Sequence, residues 1–442
     1  MTAAAAVHSG ATTCRELVEK ALARIAWAAD QLPVMAALDE QGALVAAARR
    51  DAETPRSPLH GLPVVLKDAI DVAGLPTRGG SRLVDHHPRR TAALAQRIED
   101  AGLVIVGKAR QQELAFGGWG THALEGTLRN PWDAQVHRVP GGSSSGCAVA
   151  VAAGLVPLAV GTDTGGSVRI PASMCGLVGL RPHVDAVPLD GVMPLCPGLD
   201  AAGPIAATVG DTAALYQVMA GIPVTGATPA ALHGLRLGRW NNTVLGELQP
   251  AVADAYEASL LRLQEQGALL STPARIATSD EFKQRAGVLL GYRAWRAYGE
   301  LVSAAPERMD PAVLARFRNG ASVTGADYRD VLQRQVEDRR TAATLFADID
   351  AMVVPTTPIT AAALAEVDES RTPLAGYTRW VNYLGLCAVA VPAGLSPDGL
   401  PLSLQFVLPA GSEQRALDIA ASWEALAPPL PFPPLSAFGA EA

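Results

Sequence analysis

At 442 residues, 49% of them hydrophobic and 18% charged, the chain is long and apolar enough to build a sizeable core, which excludes a disordered polymer. A formal net charge of −7, with no run of Lys and Arg that could track a phosphate backbone, argues against nucleic acid as a direct substrate. The five cysteines (Cys14, Cys147, Cys175, Cys196, Cys387) contain no C-x-x-C pair, which suits a reducing cytoplasm better than a disulfide framework or a metal cage.

In chain order, the start MTAAAAVHSG has no basic residue ahead of its alanine run, so it is not read as a signal peptide. The first fifty residues read as helical, with a capping box at Thr13 and Glu16 and apolar residues Leu17, Ala21 and Ile25 at helical spacing. Residues 61–67 (GLPVVLK) read as a short buried strand, 91–101 as a helix and 103–106 as the strand after it. This alternation predicts an α/β fold with a largely buried sheet. A glycine–serine loop at 141–146 (GGSSSG) leads into a buried helix over 147–153. A strand at 158–160 and a second glycine-rich loop, GTDTGGS (161–167), follow. The apolar run 147–160 is too short to span a bilayer and holds Gly154 and Pro157, so no membrane association is expected. Residues 223–347 are more polar and helical and are expected to cover the core and shape substrate access. Strands return at 349–357, 386–391 and 402–407, before a proline-rich surface tail at 427–434. Without repeats or low-complexity linkers, 1–442 reads as one domain. Its segments are N-terminal helices to about 60, a core over 61–222, the helical segment 223–347 and C-terminal strands and tail from 348.

A serine hydroxyl needs a base to act as a nucleophile near neutral pH. Residues 142–146 (GSSSG) match the G-x-S-x-G elbow with Ser144 central, but that arrangement requires an acid and then a late histidine, and no histidine follows His233. Lysine is the alternative base. Of only four lysines (Lys20, Lys67, Lys108, Lys283), Lys67 ends an apolar strand, where desolvation favours the uncharged amine. Asp68 would oppose this if it pointed the same way, and a lysine ending a strand can also simply reach solvent. In TGGS (164–167), consecutive backbone N–H groups beside a hydroxyl suit an oxyanion hole, although an isolated TGGS is equally a glycine turn. Neither loop is a P-loop.

The segments GLPVVLKDAIDVAGLPT (61–77), GKARQQELAFGG (107–118), RNPWD (129–133), GGSSSGCAVAVAAG (141–154), GTDTGGSVRIPAS (161–173), GLVGLRP (176–182) and NYLGLCAVAVPAG (382–394) occur in this order. Together they resemble the amidase signature family from about residue 15 to 408, which implies that family's single-domain α/β fold, a large mixed twisted sheet flanked by helices on both faces. The resemblance implies a Ser–cis-Ser–Lys triad of Ser167 as nucleophile, Ser143 as the bridging serine after a cis peptide bond, and Lys67 as base. It further implies that the amides of Thr164, Gly165, Gly166 and Ser167 form the oxyanion hole, that Arg169 anchors this loop, and that Gly117 and Gly118 lie beside the acyl group. No cofactor or metal is implied.

Departures from the family pattern are Cys147, Arg181, His183, Gly198 and the 121–125 segment (THALE), expected where substrate binds. Trp119, Met193, Leu195 and Cys196 are expected to line an apolar pocket. The resemblance implies a stand-alone hydrolase of small or aryl-bearing amides, with esters and carbamates (urethanes) sharing the chemistry, acting as monomer or homodimer. The alternative is the glutaminase (A) subunit of a tRNA-dependent amidotransferase. It is disfavoured because such proteins carry a GYYDAYY-like segment where this chain has GADYRDVLQRQ (325–335). A catalytically dead scaffold is disfavoured by the three occupied triad positions.

Overall fold

The computed structural model describes residues 2–273, 277–371 and 374–439. Eleven strands form one mixed sheet: β1 (Met35–Leu38), β2 (Pro63–Lys67), β3 (Val104–Ala109), β4 (Leu158–Thr162), β5 (Val178–Arg181), β6 (Ala202–Ala206), β7 (Arg236–Arg239), β8 (Leu269–Ser271), β9 (Ala351–Pro355), β10 (Cys387–Leu395) and β11 (Pro401–Leu408). Their spatial order is β1-β3-β2-β4-β6-β5-β10-β11-β9-β7-β8. β2 runs parallel to both β3 and β4, whereas β4, β6, β5, β10, β11 and β9 pair antiparallel in succession. The predicted α/β class with helices on both faces is the class observed.

Alternation along β2 shows the two layers. Val64 and Leu66 face a core covered by helices Ala93–Asp100, Val209–Ala220 and Glu413–Leu426. Val65 faces the opposite core, covered by Cys14–Ala28, Glu40–Asp51 and Ser145–Ala152. Helix Ser145–Ala152 (SGCAVAVA) is buried on every side, as an apolar helix without a polar face must be. Among the described residues no helix is long and apolar enough to cross a membrane. All five cysteines are free and buried.

The structure departs from the sequence expectations at the edges of the sheet. The first fifty residues are not wholly helical, because Met35–Leu38 forms β1 between two helices and pairs antiparallel with β3. Its MAAL sequence has no β-branched residue, so pairing with a neighbour overrides local preference. The helical segment 223–347 likewise contains β7 and β8, short strands that extend the sheet in parallel beyond β9. The capping box at Thr13 and Glu16 is present. The stretch 427–434 carries no helix or strand and is mostly exposed or half-buried.

Candidate active site

Lys67 ends β2, the strand held between β3 and β4, and is fully buried. Its Nζ lies 2.8 Å from Ser143 Oγ and 2.8 Å from Thr162 Oγ1, the latter at the end of β4. No carboxylate lies within ion-pair distance of it among the described residues. Burial pushes its pKa down to about 8, with the more distant Asp163 and Asp200 pulling the other way. Asp68 does not share this environment. Strand alternation turns it to the other face, where it pairs with Lys108 at 3.1 Å.

The first glycine loop presents Ser143 to this amine. The Gly142–Ser143 peptide bond is cis. Gly142 donates its N–H to Gly118 O at 2.8 Å, and Ser143 O accepts from Gln112 N at 3.1 Å. Ser144, central in the elbow-like GSSSG, is occupied otherwise. Its Oγ hydrogen-bonds the backbone N–H and carbonyl of Thr162 at 3.3 Å each, and its N–H donates to Ser167 O at 3.2 Å. Ser144 thus ties the two glycine loops together, and no histidine among the described residues hydrogen-bonds a serine side chain.

The second loop is folded around Asp163. Its Oδ1 accepts from Gly166 N at 2.7 Å and Asn382 Nδ2 at 2.9 Å, and its Oδ2 from Val168 N at 3.3 Å. Arg169 Nε and Nη2 bind the same carboxylate at 3.0 and 3.1 Å. Burial works to raise the Asp163 pKa, but the Arg169 charge and hydrogen bonds overcome it and hold the carboxyl well below the usual range. The remaining donors of Arg169 reach Gln405 Oε1 (2.9 Å), Asn382 Oδ1 (2.7 Å) and Thr378 O (3.2 Å), so this fully buried guanidinium is engaged inside the loop and offers nothing to a substrate anion.

Close approach requires glycine at position 166 and crowds position 165. A β-carbon on Gly166, at φ +122°, would collide with Thr378 Oγ1, and one on Gly165 would fall 3.0 Å from Arg379 Cγ. The Gly166 amide is already held by Asp163, which removes it from the set of expected oxyanion donors. Among the described residues the N–H groups of Thr164, Gly165 and Ser167 have no acceptor in the protein. Thr164 is further fixed by a hydrogen bond from Oγ1 to Asp200, whose other oxygen accepts from Leu195 N and Cys196 N.

Ser167, Thr164 and Gly165 open into a cavity that Gly117, Gly118 and Trp119 line on the opposite side. Phe116, Ile170, Leu195, Leu290 and Leu374 make it apolar, and Arg379 contributes its one charge. Leu290 comes from the long helix Ser279–Ala304, part of the segment expected to shape access. Trp119 is oriented by a hydrogen bond from Nε1 to Arg371 O at 3.1 Å.

Of the other expected lining residues, Met193 lines an adjoining recess that shares Ala115, Thr164 and Leu195 with this cavity and also holds Thr162 and Asp200. Cys196 is buried in the core with its N–H on Asp200, and lines neither cavity. Three family departures also line neither cavity. Cys147 packs in the core with its Sγ on Val160 O, Arg181 donates to Leu386 O and Leu199 O, and His183 pairs with Glu413 at 2.7 Å. Sequence reasoning missed Thr162, Asp163, Asp200, Gln405 and Arg379. For Asp163 a signal existed, since a carboxylate and an arginine six residues apart in an apolar, glycine-rich stretch must find one another when buried.

A model of the Amidase family matches residues 16–417. The 2-amino-5-chloromuconic acid deaminase of Comamonas testosteroni is 36% identical over 84% of this chain and 82% of its own length. The A chain of the glutamyl-tRNA(Gln) amidotransferase of Symbiobacterium thermophilum is 35% identical over 94% of each protein. A crystal structure of an amidase superposes with a TM-score of 0.89 at 30% identity, covering 96% of this chain and 98% of that one. The chain belongs to the Amidase family, the amidase signature enzymes, and is a hydrolase of carbon–nitrogen bonds other than peptide bonds.

Proposed function

We propose that the protein is a serine amidohydrolase that cleaves small or aryl-bearing amides through an acyl-enzyme on Ser167, and that esters and carbamates, urethanes included, enter the same pathway. The observation that carries this reading is the 2.8 Å contact between a buried amine with a depressed pKa, Lys67, and the hydroxyl of Ser143 on the loop that Ser144 ties to Ser167. Neutral Lys67 accepts the Ser143 proton while Ser143 Oγ takes the proton of Ser167, whose oxygen attacks the carbonyl. The N–H groups of Thr164, Gly165 and Ser167, free of protein acceptors, receive the developing oxyanion. The relay then runs backwards, delivering a proton through Ser143 to the leaving nitrogen. Water, activated in the same way, releases the acid and restores Ser167. The apolar walls around Phe116, Ile170 and Leu290 suit an aryl or short alkyl group.

A hydrolysis screen of aryl amides, primary amides, esters and carbamates, with Ser167→Ala as control, tests this. Turnover should fall at least about 10⁴-fold in the variant, and undiminished activity would remove Ser167 from the role. The amidotransferase reading is favoured by the 35% identity to the glutamyl-tRNA(Gln) amidotransferase chain over nearly the whole length. It requires glutaminase activity that increases when partner proteins and charged tRNA are added, and a glutaminase assay with and without them separates the two.

A further inference from the structure

Among the described residues, every buried or half-buried arginine except Arg379 either pairs with a carboxylate or donates to a backbone carbonyl, as Arg97, Arg129 and Arg339 do. Arg169 binds Asp163, Arg285 binds Asp338, Arg50 binds Glu53, and Arg316 binds Glu369. Arg181 donates to the carbonyls of Pro182, Leu386 and Leu199 and lies 3.7 Å from Asp163. Arg379, on helix Leu374–Leu384, is half-buried, yet among the described residues its guanidinium has no carboxylate within ion-pair distance and no hydrogen-bond acceptor. Its stem lies along Gly165, and it lines both the cavity of Ser167 and the wider one continuous with it through Phe116 and Leu290. Among the described residues no acid lines the Ser167 cavity, and the single acid lining the wider one, Glu369, is taken by Arg316. Burial, and then the neighbouring Arg316, lower the Arg379 pKa to about 10, which leaves it charged at neutral pH. A desolvated cation without a partner is unfavourable, and a planar guanidinium fork matches a carboxylate in two parallel hydrogen bonds.

Resting on the reading of Ser167 as nucleophile, we propose that Arg379 receives a substrate carboxylate, so that the preferred substrates are monoamides of short dicarboxylic acids rather than neutral amides. The apolar walls accept the short methylene chain, and the carboxylate supplies the counter-charge the protein withholds. Arg379 then sets specificity and takes no part in the proton relay.

Two measurements test the proposal. In the first, ammonia release is followed from the monoamides of succinic and glutaric acids and from butyramide and valeramide. The wild type should prefer the acids in kcat/KM, and Arg379→Gln should reduce that preference about 10- to 100-fold. Arg379→Lys, which keeps the charge but not the fork, should fall between, and it serves if the glutamine variant does not fold. A preference unchanged in both variants, or absent from the wild type, overturns the assignment. In the second, Ser167→Ala is titrated calorimetrically with succinate and glutarate, and should bind them at least about 10-fold more tightly than Ser167→Ala/Arg379→Gln. Equal affinities, or no binding by either protein, overturn it. Because this second measurement needs no turnover, a protein that binds dicarboxylates through Arg379 but hydrolyses no amide would sink the hydrolase reading and leave the carboxylate site standing.

Discussion

Two lysines on neighbouring strands, Lys67 of β2 and Lys108 of β3, are both fully buried, yet they are furnished in opposite ways. Lys108 lies on the sheet face of Leu66, with which it is in register. It meets Asp68 at 3.1 Å, Thr77 Oγ1 at 2.5 Å and Pro76 O at 2.9 Å. Lys67 emerges on the other face and meets only hydroxyls and, at 3.5 Å, the carbonyl of Thr162. Burial pushes both amines toward neutrality, but at Lys108 the adjacent carboxylate opposes it directly. The acid beside Lys108 suits a structural cross-link, and the hydroxyls around Lys67 suit the base proposed for it.

Substitution with methionine, similar in shape and uncharged, should separate the two roles. Lys67→Met should lower kcat/KM by about 10⁴-fold while leaving the denaturant midpoint close to that of the wild type, because it strands no charge. A large loss of stability without specific loss of activity would make Lys67 a structural residue. Lys108→Met should do the reverse. It leaves the Asp68 carboxylate buried with only the amides of Arg78 and Gly80, and breaking such a pair costs about 3–5 kcal/mol. Denaturant unfolding measures this, and adding Asp68→Asn to the same protein should recover part of it. If the single variant unfolds like the wild type, the cross-link carries no weight.

How far this contrast was legible in the sequence depends on the distance between partners. Lys67 stood out because a charge closing an apolar strand has few explanations, and the second glycine loop because consecutive amides beside a hydroxyl suit an oxyanion hole. Helix–strand alternation carried the α/β class, and the ordered signature segments carried the resemblance that implied the mixed sheet. Which face Asp68 takes follows from strand alternation, but its partner across the sheet, Lys108, does not. Asp163 gathers Arg169 from its own loop and Asn382 from 219 residues away, and Arg169 reaches Gln405 across 236. No local pattern encodes such contacts. Leu195 lines the Ser167 cavity as expected, whereas the Cys196 side chain is buried in the core, because Asp200 holds the backbone N–H groups of both residues, a contact that no local pattern announces. The MAAL of β1 reads as helix because its strand character resides in β3.

A smaller effect is expected from pH. An ammonium cannot accept the Ser143 proton, so only the neutral fraction of Lys67 is active. With a folded pKa of about 8, that fraction rises from about 1% at pH 6 to about 90% at pH 9, and kcat/KM should climb nearly a hundredfold over this range. A profile flat between pH 6 and 9 would mean that the chemistry does not wait on this amine.

The smallest effect sharpens the comparison most. Thr162 Oγ1 is one of the two hydroxyls on Lys67, and Thr162→Val removes it with little change in shape. As an acceptor this oxygen favours the ammonium, so its loss should move the midpoint of the pH profile to lower pH. The same loss frees Nζ to leave Ser143, and kcat at the plateau should fall about tenfold, the worth of one buried hydrogen bond that fixes an orientation. A purely structural threonine would lower the melting temperature without moving the midpoint. An upward shift would mean that Thr162 donates its proton to a neutral lysine in the resting enzyme. In that case the hydroxyl steadies the base form and the amine is held ready before substrate arrives.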